Sequence, residues 1–172
     1  MSADERALDK LVHSLDADAI RDLFQRAGYR AEIVTDTDGA RLVRSSTGGL
    51  AFHVRLADPL SGDTPTFAAA NIFAALQVQG TLPLSIVNRW NASKRYARLY
   101  LAGDVIMLDM DISVLGGVTM SHLHAQVLLW DRLVQDLLRY LREAVAGLAA
   151  NEGSPAPVDV MPDMNESRAA SA

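Results

Sequence analysis

The spacing of apolar residues changes several times along this chain, and each change marks an element. Ile20, Leu23, Phe24 and Ala27 recur at intervals of three and four behind Asp16, whose carboxylate can accept the free N–H groups of a first helical turn. Gly28 follows as a left-handed stop, so the spacing predicts a helix over 16–27, with residues 3–15 as a candidate extension. The period then shortens to two. Ala31–Asp36 and Ala40–Ser45 flank Asp-Thr-Asp-Gly, which predicts a hairpin, and Gly48-Gly49 marks the next turn. From Leu50 to Leu56 alternation is strict: Leu50, Phe52, Val54 and Leu56 share one face, and Ala51, His53 and Arg55 share the other. After the Asp58–Pro65 loop, Phe67–Gln79 is apolar on both faces and Ala-rich, a pattern that fits a buried strand or a buried helix, and a central strand is the expectation. Thr81 is then expected to cap a short helix ending near Ser93, with Pro83 in its first turn and Leu84, Val87 and Trp90 as its apolar stripe.

Lys94–Ala102 and Val105–Ile112 are joined by Gly103-Asp104, and a two-residue loop fixes the register of the strands it joins. Ala102 then opposes Val105, Leu99 opposes Leu108, Arg98 opposes Asp109 and Tyr96 opposes Asp111. Ala97, Leu101, Ile106 and Met110 join the leucines on a core face, and the charged residues share a solvated one. Finally Gly116-Gly117 leads to Thr119 or Ser121 as cap of a long helix reaching Ala146, ahead of Gly147. Its stripe of Leu123, Val127, Trp130, Val134, Leu137, Leu141 and Val145, widened by Leu133 and Leu138, is broad enough to cover a sheet. Helix, strands, helix, hairpin, helix is an α+β order. It predicts an antiparallel sheet of about five to six strands packed by an N-terminal helix, a short middle helix and a long C-terminal helix. The expected organisation is an N-terminal extension over 1–15, one domain over 16–148 and a disordered Ala/Ser/Pro/acidic tail over 149–172.

Composition narrows the function. The formal charge of the 172 residues is −5, and the last 24 carry −3 of it, from Glu152, Asp159, Asp163 and Glu166 against Arg168. A mildly acidic body is the wrong electrostatic footprint for nucleic acid. With no Cys, disulfides and thiol catalysis are excluded. Met1–Leu15 mixes Asp4, Glu5, Arg6, Asp9 and Lys10 with its apolar residues, so it has no continuous signal-peptide core, and the cytoplasm is the expected compartment. Thr64–Asn88 is uncharged and long enough to span a bilayer, but Asn71, Gln77, Gln79, Gly80, Thr81, Pro83 and Ser85 interrupt it, which argues against a membrane segment.

Candidate chemistry is sparse. Asp109 and Asp111, two apart on one strand face, could share a cation or work as an acid/base pair, but cross-strand pairing with Arg98 is the simpler account. Of His13, His53, His122 and His124, only the last two are close in sequence, and a separation of two at a helix start points them apart. Gly116-Gly117 before a helix could offer N–H groups to an anion, although no phosphate-loop pattern accompanies it. No catalytic residue, metal site or cofactor is therefore expected. Tyr96, Arg98 and Tyr100 project from the polar hairpin face with the composition that protein interfaces favour, so they are the candidate protein-binding residues.

The segment SIVNRWNASKRYARLYL, Ser85–Leu101, resembles the YbjN family, in which an Asn-x-Trp-Asn helix end precedes a basic, Ala-containing strand; Asn88, Trp90, Asn91, Arg95, Ala97 and Tyr100 carry the likeness. It continues through VIMLDMDI and GGVT and covers residues 16–146. The resemblance implies a fold like that of type III secretion chaperones, which often dimerise, and a role as a sensory-transduction regulator without enzymatic activity. It also implies that Asn88 and Asn91 finish the short helix while Trp90 anchors it on the sheet. Two functional readings follow: a regulatory or chaperone-like module that binds a protein or a second copy of itself, or a ligand- or metal-binding domain built on Asp109, Asp111 and the Gly116-Gly117 helix start.

Overall fold

The computed structural model describes residues 10–77 and 82–152. In chain order these form β1 (Leu11–Val12), α1 (Ala17–Arg26), β2 (Ala31–Thr35), β3 (Arg41–Thr47), β4 (Leu50–Pro59) and β5 (Phe67–Gln77). There follow α2 (Leu84–Ser93), β6 (Arg98–Ala102), β7 (Val105–Ser113), β8 (Val118–Thr119) and α3 (Met120–Glu152). Six strands make one antiparallel sheet in the order β2-β3-β4-β5-β7-β6, and β1 pairs separately with β8. The α+β class and the three-helix, six-strand layout are those expected from the pattern of the sequence. Between β5 and its neighbour β7 the chain inserts α2 and β6, so the last hairpin adds to the sheet with β6 outermost.

All three helices lie on one face. Val43, Phe52, Val54, Ile72, Ala74, Leu99, Leu108 and Met110 point toward them and are buried with Ile20, Leu23 and Phe24 of α1, Ile86, Val87 and Trp90 of α2, and Leu123, Val127, Trp130, Leu133, Val134 and Leu137 of α3. Each buried Val, Leu, Ile, Phe or Met side chain here contributes roughly 1.5–3 kcal/mol relative to exposure. An aromatic chain runs through the centre: Phe24 meets Phe52 at 5.4 Å between ring centroids, and Phe52 meets Trp130 edge-on at 5.6 Å. Among the described residues of α3, Leu128 and Val145 are exposed large apolar side chains, while the stripe from Leu123 to Leu137 is buried against the chain's own sheet.

Local chemistry accounts for the element ends. Asp16 Oδ1 accepts from Ala19 N–H at 2.7 Å and caps α1. Gly28 has φ of +90° and directs the chain into β2. The Gly103-Asp104 loop sets the register anticipated for β6 and β7, with Ala102 opposite Val105, Leu99 opposite Leu108 and Arg98 opposite Asp109. Thr119 is the cap of α3, its Oγ1 accepting from His122 N–H at 3.2 Å.

Four expectations need correction. Residues before 16 do not prolong α1: Leu11 and Val12 pair with Thr119 and Val118, and Leu15 bridges to Phe67, because the buried Leu15 side chain ties this stretch to the core in extended form. Pro83 stands at the cap position of α2 and not inside its first turn; buried Leu82 holds the chain extended one residue longer, and Pro83 keeps ψ at 134°. The long helix does not stop at Gly147 but runs to Glu152, past the boundary set at 149. A helical glycine costs only about 1 kcal/mol relative to alanine, and the surrounding Ala and Leu are strong helix formers. The strand of Lys94–Ala102 begins only at Arg98. Val78 and Gln79 at the end of the central strand, the expected cap Thr81 and the tail from 153 onward lie outside the described residues.

The end of α2 is tied to α3 by charge. Lys94 Nζ sits 2.7 Å from Asp136 Oδ2, Arg139 also bonds Asp136, and Tyr140 O–H donates to Ile86 O at 2.6 Å. The hydrogen bond from Lys94, with the charges of Lys94, Arg139 and Arg132, holds the Asp136 carboxyl below the usual carboxylate value against the opposing effect of burial. A depressed native pKa contributes stability above the unfolded value, near 3.9, and loses it as pH falls through the native one. Asp136→Asn is therefore expected to lower stability by about 1 kcal/mol at pH 7. Urea titrations between pH 7 and 2 should show that difference shrinking below about pH 4. A difference that stayed constant across the range would contradict this role.

Candidate functional site

Because the helices occupy one face, the other face of the sheet is uncovered by any described element, and the strand registers fix what it presents. Glu32 opposes Arg44, Arg44 opposes His53, His53 opposes Phe73, Phe73 opposes Asp109, and Asp109 opposes Arg98. One row thus crosses all six strands. The adjacent row runs Val34, Leu42, Arg55, Asn71, Asp111, and on the other side Met107 opposes Tyr100.

Phe73 is the centre of this face. His53 stacks beside it at 5.6 Å between centroids with 28° between the planes, and the Arg55 guanidinium stands 5.6 Å from its ring. A large apolar ring that no helix covers is shielded here by an imidazole and a cation, whose contact with an aromatic face is itself favourable. The imidazole of His53 is held below its ordinary pKa, first by burial and then by the nearby charges of Arg44 and Arg55, with Asp36 opposing them. It is therefore neutral near pH 7, between two arginines.

Toward β6 the face is ionic. Arg98 forks onto Asp109, Nε to Oδ1 at 2.8 Å and Nη2 to Oδ2 at 3.0 Å, and Nη2 also reaches Asp111 Oδ2 at 2.8 Å. Asn71 Nδ2 donates to Asp111 Oδ1 at 2.7 Å. Asp109 is only 8% exposed, so this side of the sheet is not uniformly solvated as its alternation suggested. The carboxylate is buried under Arg98, whose guanidinium hydrogen bonds raise the cation's own pKa.

Of the three candidate binding residues, Arg98 and Tyr100 share this face on β6. Tyr96 does not. It lies in the bend before β6 with φ of +74°, 71% exposed, and is not opposite Asp111. A non-glycine residue in that conformation is strained and interrupts the alternation that placed it on the strand. Tyr96, Ala97 and Arg98 instead line a shallow hollow of about 400 Å³ with Asn91, Lys94 and Asp111.

The Asn-x-Trp-Asn residues divide their work. Trp90 is fully buried, its ring 5.6 Å from Tyr140, with Lys94 Nζ over it at 5.6 Å. Asn88 is exposed and makes no side-chain hydrogen bond among the described residues. Asn91 does not finish α2, which is closed by Lys94 N–H and Ser93 Oγ on Trp90 O. It reaches sideways to β6, donating from Nδ2 to Leu99 O at 2.8 Å and accepting Leu99 N–H on Oδ1 at 2.9 Å. A side-chain amide here makes the two bonds that a neighbouring strand would make.

The residues of the second reading are engaged elsewhere. Both Asp109 and Asp111 are bonded to Arg98, and Asp111 also to Asn71. Gly116 and Gly117 have φ of +79° and +87°; Gly117 N–H is taken by Val114 O, Met120 N–H by Lys10 O, and His122 N–H by Thr119. Gly117 also lies under the His13 ring, where a Cβ would approach to 2.6 Å. Among the described residues no three His, Asp or Glu side chains are grouped to hold a metal ion, and no helix is long and apolar enough to cross a membrane.

Phe73, His53 and Arg55 were not singled out from the sequence as a site. The signal was Asn71: a polar residue in an apolar strand marks the face away from the core, and Phe73 lies two residues on along it.

An antiparallel sheet with three helices on one side, and with paired charges and aromatic rings on the side that no described helix covers, defines the chain as an α+β module. Residues 16–143 match the family YbjN, described as "Putative bacterial sensory transduction regulator", and the chain belongs to that family. No curated protein and no solved structure matches the chain.

Proposed function

We propose that the chain is a non-enzymatic, cytoplasmic regulatory module that binds a protein partner through the uncovered face of its sheet. The observation that carries this reading is that Phe73, Arg98 and Tyr100 share the sheet face that no helix among the described residues covers. Aromatic rings and arginine are the residues on which binding energy concentrates at protein interfaces. Family membership as a sensory-transduction regulator supports a role exercised through contact. The chaperone-like fold that the family resemblance implies adds only an analogy, which by itself names no client.

The test is affinity capture of the tagged chain from its own cells with mass spectrometry, run beside Tyr100→Ala and Arg98→Glu, each checked for an unchanged far-UV circular dichroism spectrum. One protein retained by the parent chain and reduced about tenfold or more by Tyr100→Ala would agree with loss of an interface anchor. Capture of the same protein at equal yield by both variants would overturn the assignment of this face.

A further inference from the structure

The sheet ends in two edges of unequal length, and on β6 only Leu101 keeps outward groups that nothing described meets. On β6 the outward N–H and C=O of Leu99 are both taken by Asn91. On β2, Asp36 N–H donates to Ala40 O across the hairpin. Residues alternate in the direction of their backbone groups, so Glu32 and Val34 face β3 while Ala31, Ile33 and Thr35 face outward. Gln25 Nε2, bonded to Ala31 O at 3.0 Å from outside the sheet, agrees with this assignment. Among the described residues no group meets the outward N–H and C=O of Ile33 or Thr35. An edge of this kind is a template for another strand.

We infer that β2 is a self-association edge, pairing antiparallel with β2 of a second copy about a two-fold axis at Ile33. The occupant is identified by charge. Centred at Ile33, the segment Arg30–Asp36 opposes Ala31 to Thr35, Glu32 to Val34 and Arg30 to Asp36 of the second copy, so two opposite-charge pairs close the ends of the ladder. A centre at Val34 would set Glu32 against Asp36 and so cancel the gain from Arg30 against Asp38, and one at Thr35 would set Glu32 against Asp38, each repeated by symmetry.

The groups required are available. Arg30 is exposed and has no ion-pair partner among the described residues. Asp36 bonds Arg55 and Thr37 N–H, and a carboxylate has room for a further donor. Ala31 O keeps a second lone pair beside the Gln25 amide. This contact uses the sheet's edge and leaves the bare face free, so it stands or falls independently of the proposed partner surface.

Sedimentation velocity of the full chain over a range of concentrations, with Arg30→Asp, Asp36→Arg and their equimolar mixture, tests it. The parent chain should dimerise. Each variant alone turns two attractive pairs into two repulsive ones and should weaken the dimer about tenfold or more. Mixed, the two variants restore both opposite-charge pairs and should recover the parent affinity. A parent chain that stays monomeric at the highest concentration, variants that dimerise as it does, or a mixture that fails to recover would each overturn the inference. If Asp36→Arg loses its native circular dichroism spectrum, Thr35→Pro replaces it. Its ring removes one outward N–H and leaves the bonds to β3 in place, so weaker dimerisation supports the edge and unchanged dimerisation overturns it.

Discussion

Replacing Trp130 by alanine is expected to destabilise the protein by roughly 3–5 kcal/mol, the range for removing a fully buried aromatic side chain. That is a large share of the 5–15 kcal/mol by which domains are usually stable. The indole lies where α3 crosses the sheet, edge-on to Phe52, which in turn touches Phe24 of α1, so one ring links the long helix, β4 and the first helix. Its Nε1–H is buried without a hydrogen-bond partner among the described residues. Truncation therefore strands no acceptor, and the loss is one of packing. Trp130→Phe should accordingly cost only about 1 kcal/mol, because most of the ring volume remains and an unsatisfied donor disappears. Denaturant unfolding followed by far-UV circular dichroism distinguishes the two variants. A Trp130→Ala loss below about 1.5 kcal/mol would mean that the α3–sheet contact is not a principal source of stability.

The second large effect is expected at Arg98. Removing its guanidinium in Arg98→Ala leaves the Asp109 carboxylate buried with Asp111 as its nearest charged neighbour on the strand. Stranding a fully buried partner typically costs 3–5 kcal/mol. Here the Arg98 side chain is 63% exposed, so water reaches the vacated space and about 2 kcal/mol is the expected loss. The control is the pair: Arg98→Ala combined with Asp109→Ala removes the orphaned charge together with its partner and should be more stable than Arg98→Ala alone. A loss in the double variant equal to the sum of the losses in Arg98→Ala and Asp109→Ala would mean that the two side chains do not act as a unit.

How far the sequence speaks depends on how local the cause is. A two-residue loop of Gly103-Asp104 admits one register, and that register correctly put Arg98 opposite Asp109. The Asp16 cap and the Gly28 stop were equally local. The candidate site was less legible. In β5 the alternation is hidden by alanines on both faces, so nothing but Asn71 tells that Phe73 looks away from the helices. Tyr96 kept the period of a strand and left it through its backbone angle, which no side-chain pattern records. The β1–β8 pair is two residues long, too short to have a period at all. Asn91 has the composition of a helix end, and only the approach of β6 gives its amide a different use.

That use has a consequence for assembly. In the language of polymer chemistry, a sheet with two reactive edges is a bifunctional monomer and grows into ribbons, while a sheet with one is monofunctional and stops after a single addition. By holding both outward groups of Leu99 with its own carboxamide, Asn91 shortens the open edge of β6 to Leu101. A strand added at β2 would leave only this shortened edge on the far side of the sheet, which works against growth into a fibre.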